Sequence, residues 1–193
     1  GQKTRANIPL EEKEPFIDCS PFFWAWEFKG TYPKIFTHEK YGKEAERLFQ
    51  DAQAMLKTIK PRLNLRATMS YYKAERHGED IQIFADAGAT KPLETFMFLR
   101  QQREKCRSLA DFVAPVATGK KDSMGLFVVS AGAEIDFISQ EFKANGDDYS
   151  SILVKAIGDR LAEGLAEWLH KFVRNSWGYG RSENLTPEQL IKF

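Results

Sequence analysis

The 193 residues predict an α+β fold, and three observations carry that reading. Residues 39–59 and 147–174 have helical period, while the middle of the chain breaks into four short runs of strand period. Strands grouped between helices, without strict alternation, favour α+β over a doubly wound sheet. This length suits one substantial core. A single domain is therefore expected over residues 15–193, after a polar linker or tail at 1–14 (GQKTRANIPLEEKE).

In chain order, PFIDCSPFFWAWEFKGTYPKIF (15–36) carries eight aromatics in 22 positions and is expected to be a buried plug. Within it, Ser20-Pro21 suits a helix start with Ser20 as N-cap. EKYGKEAERLFQDAQAMLKTI (39–59) sets Ala45, Leu48, Phe49, Ala52, Met55, Leu56 and Ile59 on one helical face, and Pro61 stops it. RATMSYYKA, DIQIFAD, ETFMFLRQQ and SMGLFVVSAG are then read as strands, separated by turn-formers such as His77-Gly78 and Ala87-Gly88. No helical pattern divides the first three, so the sheet is expected to be mostly antiparallel. EIDFISQEFKAN returns to helical period, and Asn145-Gly146 turns the chain into the long helix, capped by Asp147 or Asp148.

Composition excludes several classes. With 28 basic and 27 acidic residues the net charge is +1, giving no field that would draw nucleic acid or an anionic membrane. Cys19 and Cys106 form no CxxC pattern, and His38, His77 and His170 are dispersed, so neither a metal site nor a catalytic residue is expected. No apolar run approaches a membrane span and the opening stretch lacks a signal peptide's apolar core, which points to a cytoplasmic setting. LFVVSAGAE has a single glycine in its turn, too little for a nucleotide-cradling loop.

DDYSSILVKAIGDRLAEGLAEWLHKFVR (147–174) is the most informative stretch. Ile157, Leu161, Leu165, Trp168 and Phe172 form its core stripe, with Leu153 and Leu169 at the margins. Gly164 costs about 1 kcal/mol of helix propensity relative to alanine, which predicts close approach by a neighbouring backbone. Asp159, Glu163 and Glu167 lie opposite the stripe, where Glu167 can pair with Lys171; periodicity alone reads them as a solvated face.

The same stretch resembles the long helix of the activation domain of cobalamin-dependent methionine synthase. FIDCSPFFWAWEFKGTYPKIF, EAERLFQDAQAML, HGEDIQIF, LRQQREK, SLADFVAP and GLFVVSAG are similar to that family's successive signatures, in its order, from about Pro15 onward. The resemblance implies an elongated, C-shaped α+β domain, a bent and mostly antiparallel sheet flanked by helices. It also implies a role in reductive reactivation during methionine biosynthesis. S-adenosylmethionine would be presented as methyl donor to cob(II)alamin held by the cobalamin-binding domain of the same or a separate chain, with flavodoxin or a flavoprotein reductase as electron source. The module would serve a methyltransferase without a catalytic side chain of its own. Its S-adenosylmethionine contacts map onto Asp18 and Glu163. Without the ligand, Asp18 would serve as an Asx turn before Ser20.

The chain departs from the pattern at Cys19, where the family shows an aromatic, and at Ser70-Tyr71-Tyr72-Lys73, where it shows a Gly-Phe-Trp-Pro-like turn. The family's Arg-x-x-x-Gly-Tyr-Pro signature follows the segment corresponding to SENLTPEQLIKF, and the 193 residues end before it. Thr186-Pro187-Glu188-Gln189 nonetheless opens a helix with capping-box residues. Weak S-adenosylmethionine binding is one expectation; the alternative is a docking or structural relative that engages a cobalamin domain without that ligand.

Overall fold

The computed structural model describes residues 3–5, 8, 16–183, 185, 186 and 189, so most of the expected linker over 1–14 lies outside the described residues. The chain sorts into two compact units, one of residues 1–4 and 68–128, the other of 5–67 and 129–193.

The first unit is built on a sheet. Strands β2 (Arg66–His77), β3 (Asp80–Phe84) and β4 (Glu94–Met97) pair antiparallel in succession, while β1 (Lys3–Arg5) and β5 (Asp122–Ser130) both pair with β2. The α+β class and the antiparallel hairpins are as the sequence predicts. β1 is not: it falls inside the stretch read as linker, because backbone pairing asks nothing of the polar side chains there. Register His77↔Asp80 leaves a two-residue turn in which Gly78 takes φ +64°, the left-handed conformation that such hairpins favour at glycine.

Period-two alternation puts Ala74, Ile81 and Ile83 into one core, closed by Ala110 and Val113, with Phe96, Phe98, Met124 and Leu126 packed against it. β4 ends at Met97, short of the run expected through Gln102. Side-chain and loop bonds take over there. The Arg100 guanidinium turns to Asp111 (2.7 and 2.9 Å) and Glu79 (3.0 Å), and the Gln101 N–H closes a loop on the Arg107 carbonyl. Asp111 also accepts from the Ser108 N–H as half of a capping box on the 3-10 turn Leu109–Phe112. Arg100 foremost, and then that backbone bond, hold the Asp111 carboxyl far below the usual carboxylate range.

The second unit is helical: α1 (Ser20–Trp24), α2 (Gly42–Ile59), α3 (Glu134–Ala144) and α4 (Asp148–Trp177). The expected plug is present. Phe23 is fully buried and meets Phe22, Phe36 and Phe49 at 5.4 to 6.3 Å between ring centres. The cap of α1 differs from expectation. Asp18 accepts the Ser20 N–H at 2.8 Å, and the Ser20 hydroxyl instead accepts the Tyr32 N–H at 3.1 Å, tying the plug to the loop beyond.

Gly146, at φ +76°, turns the chain into α4, and the Asp147 carboxylate caps the helix by accepting the Ser150 N–H at 2.9 Å. α3 lies against α4 through a buried serine pair, Ser139 and Ser151, whose hydroxyls are 2.8 Å apart. The buried stripe of α4 follows the expected one through Ile157, Leu161 and Leu165, with Leu153, Val154 and Leu169 also closed off, and departs from it at Trp168 and Phe172, which are half-buried and stack on each other. Of the expected capping box near residue 186, the reciprocal bonds between Thr186 and Gln189 are formed; the remainder of that helix lies outside the described residues.

Gly158 marks a close contact between α3 and α4. A β-carbon there would stand 2.8 to 3.2 Å from three atoms of Ile135, so overpacking outweighs any gain in helix propensity. Gly158→Val is expected to destabilise the chain by about 2 kcal/mol in urea titrations. A neutral result would mean that α3 moves aside freely.

Candidate functional site

The site grows from one backbone crossing. A β-carbon on Gly164 would come within 2.9 Å of Ile17 Cγ1 and 3.6 Å of Ile17 Cα, so the segment before α1 lies directly on α4. This is the close approach that a mid-helix glycine predicts. The two residues singled out in the sequence each lie one position from this contact: Asp18 follows Ile17, and Glu163 precedes Gly164.

The two carboxylates are differently engaged. Asp18 is exposed and accepts one hydrogen bond, from Ser20 N–H to Oδ1, the Asx turn anticipated for it; among the described residues it has no ion-pair partner. Glu163 is held by both oxygens, 2.7 and 2.6 Å from Arg160 Nη1 and Nη2. Its side chain is 64% exposed, whereas that of Arg160 is 14% exposed. The guanidinium is thus the anchored member of the pair and Glu163 the reaching one. Of the other stripe members, Asp159 is exposed, and Glu167 faces His170 at 3.9 Å, not Lys171, whose ammonium lies over the Phe16 ring.

Beside this crossing, wholly within the helical unit, is a cavity of about 530 Å³. Phe22, Phe49, Leu56, Ile157 and Leu161 supply apolar wall, and Cys19 and Arg160 reach it from the crossing. Three further polar groups, on Gln53, Lys57 and Lys60, follow one ridge of α2 and the 3-10 turn beyond it. Burial, and then the Asp18 carboxylate, push the Cys19 thiol up, partly offset by Arg160. Among the described residues no cluster of His, Cys, Asp or Glu could hold a metal ion, and no helix is long and apolar enough to cross a membrane.

The family resemblance singles out Asp18 and Glu163 but not Arg160, although its i, i+3 spacing to Glu163 was a usable signal. It also assigned Phe49, Ala52 and Leu56 to the core, whereas they are only half-buried and line the cavity.

A family model described as the vitamin B12 dependent methionine synthase activation domain matches residues 9–193. Among solved structures, the crystal structure of the MetH reactivation domain bound to AdoHcy is similar at 43% identity and a TM-score of 0.90. The match covers 100% of this chain and 61% of that one, so the chain spans about three fifths of the structure it matches.

The two thiols should react very differently. At neutral pH the exposed Cys106 is expected to react first with a disulfide reagent and Cys19 at least tenfold more slowly, the gap narrowing as pH rises and the Cys19 thiolate forms. Equal rates at pH 7, followed by peptide mapping, would show that Cys19 is neither shielded nor shifted.

Proposed function

Because the chain belongs to the activation-domain family of vitamin B12 dependent methionine synthases, we propose that it binds S-adenosylmethionine at the Asp18–Glu163 crossing and presents it to a cobalamin held by another domain. The observation that supports this reading is the Ile17–Gly164 contact, one position along the chain from each of two carboxylates, for a ligand with two cationic centres.

The donor set suits that ligand. A sulfonium and an ammonium are stabilised by carboxylates, and Asp18 has one oxygen that no bond within the described chain uses. When bound, S-adenosylmethionine supplies an activated methyl group. The chain's own residues bind and orient: Asp18 attracts positive charge, the Ser20 N–H fixes the Asp18 rotamer, and Arg160 fixes Glu163. Orientation of the methyl is then the module's contribution to the rate. Its partners in this reading are the cobalamin-binding domain and a flavodoxin or flavoprotein reductase, and its setting is the cytoplasm. A docking-only role draws support from Glu163, both of whose oxygens are already taken by Arg160.

Calorimetric titration with S-adenosylmethionine and with S-adenosylhomocysteine, which lacks the sulfonium charge, separates the two readings. Preference for the sulfonium is expected, and Asp18→Asn, which can keep the Asx turn, should weaken S-adenosylmethionine about tenfold. Glu163→Gln should change affinity less than about threefold, since Arg160 already neutralises that carboxylate. Absence of heat with either ligand would favour docking alone.

A further inference from the structure

We infer that the cavity between α1, α2 and α4 is a second binding site, for a small molecule with an apolar body and one anionic group. We further infer that its occupancy is coupled through Arg160 to the Asp18–Glu163 crossing. Nothing in the family match or in the solved relative's description assigns a ligand to this cavity.

Size and wall chemistry come first. About 530 Å³ falls within the range of clefts that hold small molecules. The periodicity of α2 faces Phe49, Ala52 and Leu56 inward, yet they remain half-buried while Ala45, Leu48 and Ile59 on the same helix are closed. Their uncovered sides look into the cavity, so apolar surface sized for a ligand is left without protein cover among the described residues.

Charge then selects the ligand. Among the described residues the ionised lining groups are Lys57, Lys60 and Arg160, the last already paired with Glu163, and none of the described lining residues is acidic. Lys57 has no ion-pair partner among the described residues. A sulfonium or ammonium would be repelled here and a carboxylate or sulfonate drawn in, the opposite of what Asp18 offers next door. An apolar carboxylic acid therefore matches both the walls and the rim.

Arg160 joins the two sites, because it lines the cavity while both of its terminal nitrogens bind Glu163. An anion in the cavity competes with Glu163 for that guanidinium and releases the carboxylate toward a cationic ligand. Affinity for S-adenosylmethionine then rises, and by linkage affinity for the anion rises equally when S-adenosylmethionine is bound. This second part rests on the function proposed above; the cavity site does not.

Cys19 is the local reporter. In a Cys106→Ser chain it is the remaining thiol, and decanoate is expected to slow its modification by a disulfide reagent at least fivefold, saturably, with decanol less effective. Lys57→Glu, an exposed change that spares the core, should weaken decanoate about fivefold, and Ala52→Trp should abolish protection by filling the space. Unprotected Cys19 at saturating decanoate, or protection indifferent to Lys57→Glu, overturns the site. S-adenosylmethionine titrated with decanoate present should bind about threefold tighter, an effect absent in Arg160→Gln. Protection of Cys19 without that gain overturns the coupling alone. If S-adenosylmethionine fails to bind at all, the proposed function falls while the Cys19 readout still decides the cavity.

Discussion

Ile17 lies where a side chain at position 164 would stand, and the organisation of the site follows from that absence. An α-helix ordinarily keeps a neighbouring chain at side-chain distance, about 8 to 10 Å between axes for a packed pair. Removing one β-carbon lets the segment before α1 touch the helix backbone. Gly158, six residues earlier, makes the same room for the Ile135 side chain of α3. α4 is thus gripped at two glycines, each costing helix propensity that the resulting contact repays in packing.

Around that crossing the charges are sorted by sign. Carboxylates sit beside Ile17 and Gly164, cations surround the cavity, and Arg160 belongs to both groups. The long guanidinium stem makes this possible, packing against apolar wall while its planar head bonds a carboxylate. A lysine could carry the charge there but not the two parallel bonds.

Much of this was legible in the sequence, and the parts that were not have physical reasons. The helices, the four strands after residue 65 and the Gly164 contact were all visible, because each is set by period or by a local conformational demand. β1 was missed because strand pairing can be satisfied by backbone alone. β4 was overextended because Arg100 finds its partners, Glu79 and Asp111, at distances in sequence that no local window spans. Trp168 and Phe172 were placed in the core because their period fits, whereas the two rings cover each other by stacking and stay half-buried. For Asp18 the Asx turn was readable, whereas its nearness to Glu163 depended on two residues 147 positions apart in the chain, Ile17 and Gly164, coming into contact.

The unit that carries the site is discontinuous: residues 68–128 are made between its two halves. On the ribosome, hairpins β2–β3 and β3–β4 need only neighbouring sequence and can close as they emerge. The aromatic plug and α2 can meet each other locally through Phe23, Phe36 and Phe49, but the faces they turn to α4 must wait for it. During that interval Phe22, Phe23 and Leu48 are the surface on which nascent chains stick to one another or recruit a chaperone. Vectorial synthesis therefore makes the crossing of Ile17 on α4 a late event in assembly, and places the hazard of misassembly in the half of the molecule where binding resides.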